Sequence, residues 1–129
     1  MRFALACTAL ALAGACAPAA GSERVVRIDI EHSAFDPALL TFERGETVRF
    51  VLRNSDPIDH EFIIGDEAVQ DLHETGTEAH HGAKPGEVSI GAGESAETTY
   101  TFEEPGELIF GCHLPQHYKY GMRGAIEVR

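Results

Sequence analysis

Basic residues are scarce in this chain. Lys and Arg number 10 against 21 Asp and Glu, a formal net charge of −11 over 129 residues. Without Lys/Arg patches it lacks the electrostatic footprint that nucleic acid demands, and nucleic acid is excluded as a partner. The negative surface suits either plain solubility or steering toward a basic protein partner. Long apolar runs are missing as well. The most apolar stretch, FALACTALALAGA after Arg2, falls short of the ~20 residues that a membrane span needs. Cysteine is nearly absent: Cys7 and Cys16 belong to that N-terminal region, which leaves Cys112 alone in the remainder. A lone cysteine makes no internal disulfide, so its thiol serves either a metal or a buried apolar position.

A charged start, a short apolar core and the small residues Cys16-Ala17-Pro18-Ala19-Ala20 describe a secretory signal peptide. Residues 1–20 are therefore assigned to a leader and the start of a flexible tether, and residues 24–129 to one exported domain in a periplasmic or other extracytoplasmic space. Ala13-Gly14-Ala15-Cys16 resembles a bacterial lipobox. One reading lipidates Cys16 and gives the chain its sole membrane attachment; the other is ordinary cleavage without a lipid.

From residue 24 the dominant period is two. Val26-Arg27-Ile28-Asp29-Ile30-Glu31 alternates apolar and charged residues, as a strand with one face on a core does. Thr47-Val48-Arg49-Phe50-Val51-Leu52-Arg53-Asn54 repeats the pattern, and shorter strand signals follow around Phe62, Val88, Thr98, Ile109 and Ile126. Gly91-Ala92-Gly93-Glu94 and Glu104-Pro105-Gly106 punctuate them as turns. Seven to eight short strands without a convincing amphipathic helix predict an all-β fold, an antiparallel β-sandwich. His32 is expected on a strand surface. Residues 66–86 break the rhythm: they are polar, carry His73, His80 and His81, and admit a short helix in their first half. Connections of this length are usually functional or disordered.

The chemistry concentrates near the C-terminus. In Gly111-Cys112-His113-Leu114-Pro115-Gln116-His117-Tyr118-Lys119-Tyr120-Gly121-Met122, a cysteine ends a strand, a histidine follows five residues on and a methionine five after that. Thiolate and thioether are soft ligands suited to Cu(I), imidazole suits both oxidation states, and His₂Cys with a weak axial Met is the composition of blue-copper centres. The second histidine must come from elsewhere. His60, at the start of Glu61-Phe62-Ile63-Ile64, is the best placed, although a strand-end histidine with no metal role is also consistent. His113 points away, because neighbouring strand side chains alternate.

His60-Glu61-Phe62, the Pro105-Gly106 turn, and Cys112 through His117 with Gly121-Met122-Arg123-Gly124 together resemble the cupredoxins, in particular the small exported plastocyanin- and azurin-like copper proteins. The resemblance spans residues 24–129. It implies a Greek-key β-sandwich holding one type 1 copper through His60, Cys112, His117 and Met122. It also implies one-electron transfer with a redox partner such as a c-type cytochrome or an oxidase. With those ligands no position is open for substrate, so an enzyme is not expected.

Two departures stand out. Glu61 occupies a position where many members have Asn, so the side-chain tie to the copper loop is expected to be lost. Gln116 stands where close relatives often have glycine. Leu114, Pro115, Tyr118 and Tyr120 fit a docking patch around the His117 edge, or ordinary loop packing. His73, His80 and His81 either bind additional copper or form a solvated loop. The first case would suit copper resistance, storage or delivery in place of electron transfer. A metal-free interaction module is the third reading.

Overall fold

The computed structural model describes residues 23–76 and 84–129. The leader assigned to residues 1–20, the lipidation at Cys16, and His80 and His81 lie outside the described residues. In chain order the elements are β1 (Arg24–Glu31), β2 (Ala34–Asp36), β3 (Leu39–Phe42), β4 (Thr47–Asn54), β5 (His60–Gly65), α1 (Glu67–Thr75), β6 (Glu87–Ile90), β7 (Ser95–Thr101), β8 (Gly106–Gly111) and β9 (Arg123–Val128). They form two sheets, β2-β1-β4-β7 and β3-β9-β8-β5-β6, packed as a Greek-key β-sandwich. Among the described residues no helix is long and apolar enough to cross a membrane.

The sandwich differs from expectation in detail. Both sheets are mixed, because β1 runs parallel to β4 and β3 parallel to β9. A period of two tells which face is buried and is silent on strand direction. Nine strands are present among the described residues; β2 has three residues and turns only Phe35 inward, too little to leave a periodic signal. His32 lies in the turn between β1 and β2 with φ 55°.

Alternation places Val26, Ile28 and Ile30 of β1 and Val48, Phe50 and Leu52 of β4 against Phe62, Phe110 and Ile126 of the other sheet. Phe42 stacks on Phe102 at 4.4 Å between ring centroids, and Phe50 lies 5.4 Å from Phe62. Each buried ring contributes ~1.5–3 kcal/mol in transfer free energy, so this cluster is the main support of the fold. Among the described strands β5 alone is buried at every position. Its second face is covered by α1, which begins where the Asp66 carboxylate caps it by accepting from the Val69 N–H at 2.9 Å. From the helix the buried Gln70 amide donates to Ile63 O at 3.2 Å and to Ile109 O at 3.1 Å, fastening α1 to β5 and β8.

Candidate metal centre

The ends of β5 and β8 meet at one end of the sandwich. Cys112 follows β8 directly, and its N–H donates to Met122 O at 3.1 Å just before β9 begins. Within the loop so closed, His117 N–H donates to Leu114 O and Met122 N–H to His117 O, both at 3.0 Å. The backbone therefore fixes where Cys112, His117 and Met122 stand. The side chains of Cys112 and Met122 are buried and His117 is half-buried.

His60, the first residue of β5, enters from the other side and is fully buried. Its Nδ1 lies 3.3 Å from Nδ1 of His117 and 3.9 Å from Sγ of Cys112, and the remaining edge, Cys112 Sγ to His117 Nδ1, is 3.2 Å. Among the described residues this is the group of three His, Cys or carboxylate side chains close enough to hold a metal ion. A triangle with those edges suits metal–donor bonds of ~2.0–2.3 Å, and one thiol and two imidazoles are donors that copper prefers, with Met122 buried on the same backbone-closed loop. The residues fit the ion.

The surroundings prepare these donors. Burial pushes the Cys112 thiol up to about 11, against the opposing pull of the Glu61 and Leu114 N–H groups. The thiol is protonated at neutral pH until a metal displaces the proton. For His117, burial and then the neighbouring His60 push the imidazole below its ordinary value, so its lone pair is free. His60 turns its other nitrogen, Nε2, to Asp56 Oδ2 at 2.8 Å. Burial of Asp56 pushes its carboxyl up, yet hydrogen bonds from Ser33 N–H, His60 and His32 N–H outweigh it and hold the carboxyl below its ordinary value.

Glu61 corrects the expected loss of a side-chain tie. Its N–H donates to Cys112 Sγ at 3.3 Å, and its buried carboxylate accepts from the His113 N–H, also at 3.3 Å. The register of β5 on β8 pairs Ile63 with Gly111, which carries Glu61 opposite His113 just beyond the ladder. His113 does point away: its ring meets Glu74 Oε2 at 2.8 Å and Gln70 Oε1 at 2.7 Å, and stacks on Tyr118 at 4.5 Å. Tyr118 thus packs inward, while Pro115 and Tyr120 stay exposed. His73 sits on α1 with its ring 2.8 Å from Val69 O and 3.5 Å from Glu87. Asp56 and Gln70 were not legible as site residues: an isolated Asp in a turn and a Gln in a polar stretch carry no signal until the fold brings them to His60 and His113.

Comparison with known proteins agrees with this geometry. The family model for copper binding proteins of the plastocyanin/azurin family matches residues 22–129. The copper-resistant cuproprotein CopI of Rubrivivax gelatinosus is 40% identical over 116 residues, covering 86% of this chain and 70% of the relative. CopI of Pseudomonas aeruginosa is 31% identical over 145 residues, covering 88% and 80%. Among solved structures, dithionite-reduced auracyanin of Roseiflexus castenholzii superposes with a TM-score of 0.68 at 26% identity, covering 84% of this chain and 99% of that one. Auracyanin B gives 0.69 at 22% identity, covering 82% and 88%. A match that runs through both sheets and takes in the His60, Cys112 and His117 cluster makes copper the cofactor, and the chain belongs to the plastocyanin/azurin family of copper-binding proteins.

Proposed function

We propose that this protein is an extracytoplasmic one-electron carrier that holds one copper ion through His60, Cys112, His117 and Met122. The observation that carries the reading is the convergence of Cys112 Sγ and two histidine Nδ1 atoms within 3.2–3.9 Å at a backbone-fixed, buried site. Copper bound there supplies a Cu(II)/Cu(I) couple. The chain's part is to hold the donors still, so that electron gain and loss need little rearrangement. Glu61 N–H on the sulfur and Asp56 on His60 restrain two of them. The half-buried ring of His117 gives the site its outward edge beside the exposed Pro115, where a redox protein would dock. Auracyanin, described in a dithionite-reduced form, supports a redox role. With the ligand set filled, no position remains for a substrate, and the protein is not an enzyme.

A second reading is copper resistance by binding or delivery, favoured by the name of the CopI relatives. It would use the same centre together with His73, His80 and His81. Two measurements separate them. A carrier takes up one copper per chain and exchanges electrons rapidly with a c-type cytochrome. A copper-handling protein takes up more than one, loses the excess when those three histidines are changed to alanine, and exchanges electrons slowly. If the purified chain stays colourless with Cu(II), or Cys112→Ser leaves its spectrum unaltered, the proposed ligand set is wrong for both.

A further inference from the structure

We propose that Asp56 is a positioning residue of the metal centre, locking His60 with its proton on Nε2 so that the Nδ1 lone pair faces Cys112 and His117, and favouring Cu(II) over Cu(I). The inference rests on the ligand set proposed above. Its basis is the carboxylate itself. His60 is fully buried, and Nε2 has Asp56 Oδ2 at 2.8 Å. An ionised carboxylate only accepts, so the shared proton belongs to Nε2 and Nδ1 is left as a donor to metal. A negative partner on the far nitrogen also raises the basicity of the near one, which stabilises the more highly charged metal state.

Asp56 is itself held on every side. His32 N–H donates to Oδ1 at 2.7 Å and Ser33 N–H to Oδ2 at 2.8 Å. Both residues have positive φ, 55° and 54°, a conformation that disfavours non-glycine residues by ~1–2 kcal/mol each. Two consecutive N–H groups aimed at one carboxylate offset that strain with charge-assisted hydrogen bonds. Behind it, Asn54 Oδ1 accepts from Asp56 N–H at 3.0 Å, and Asn54 Nδ2 donates to Ile58 O at 2.7 Å and Gly91 O at 3.0 Å. The β1–β2 turn, the end of β4 and the β6–β7 turn therefore all bear on the orientation of one imidazole.

The test is Asp56→Asn in the full chain, which keeps the shape and one oxygen for the turn. Cu(II) and Cu(I) affinities are measured by competition, with the midpoint potential alongside. The expected result is a ~10–100-fold loss of Cu(II) affinity with a smaller change for Cu(I); each tenfold change in their ratio raises the potential by ~59 mV. The visible charge-transfer band persists. A folded, coloured variant with an unchanged Cu(II)/Cu(I) ratio overturns the role of Asp56 and leaves the ligand set standing. A wild-type chain that binds no copper through Cys112 removes the ligand set and the inference together. If the variant does not fold, nitrogen NMR of the wild-type apo protein decides: a proton on His60 Nε2 supports the inference, and a proton on Nδ1 overturns it.

Discussion

Glu61 grips Cys112 twice over: its N–H meets the sulfur at 3.3 Å, and its carboxylate holds the next peptide through the His113 N–H at the same distance. The first bond comes from the backbone and survives any side chain; the second does not. Glu61→Gln keeps an oxygen for His113, whereas Glu61→Ala leaves a half-buried N–H without it. We expect Ala to destabilise the apo protein by ~1–3 kcal/mol and Gln by under ~1 kcal/mol in urea unfolding. Both variants should retain the copper charge-transfer band. Losses near zero for both would mean that the carboxylate oxygen contributes nothing.

The pH dependence of the apo protein follows from two groups. Cys112 is raised to about 11 in the folded state, above an ordinary thiol at ~8.5. Its contribution is complete below the unfolded value and is lost as pH rises toward 11, an upper bound of ~3 kcal/mol. Asp56 is shifted the other way, so its contribution is present above the ordinary carboxylate value and disappears as pH falls through its lower folded one. Chemical denaturation from pH 3 to 11 should give a plateau falling at both ends, and Cys112→Ser should flatten the alkaline limb. Copper uptake must also release the thiol proton, so apparent affinity should climb ~tenfold per pH unit between about 7 and 9.

The parts of the centre legible in the sequence are those built locally. Cys112, His117 and Met122 lie on one loop, and their spacing alone suggests convergence. His60 is 57 residues from His117, so its place depends on β5 pairing with β8, which a strand pattern does not specify. Asp56, Glu61 and Gln70 act through contacts made only after the sheets close, and their chemistry is common to any surface. Parallel pairing of β1 with β4 was hidden for a related reason: alternation records burial, and both strands bury one face in either direction.

Gln116 adopts φ 73° in the turn before His117, the conformation that explains a preference for glycine there. A non-glycine residue gives up ~1–2 kcal/mol in this region, while glycine loses ~0.5–1 kcal/mol more backbone entropy on folding. The difference favours glycine. Gln116→Gly should raise apo stability by ~0.5–1 kcal/mol, read as a higher urea midpoint with an unchanged slope. Gln116→Val, β-branched at the same φ, should lower it.

Gln70 is the buried polar residue that makes α1 part of the site's support. Its nitrogen faces the carbonyls of Ile63 and Ile109, which leaves Oε1 to accept from His113 Nε2 at 2.7 Å. A single amide thus supplies both the donor and the acceptor. Gln70→Leu keeps the volume and removes both, so it should cost ~1–3 kcal/mol and speed amide exchange across α1 before the sheets open. Gln70→Glu tests the polarity directly. It retains an oxygen for His113 but turns a second oxygen toward two carbonyls, so it should destabilise at least as much as leucine at neutral pH. A glutamate variant as stable as the wild type would show that the amide nitrogen's bonds to Ile63 O and Ile109 O do not hold α1.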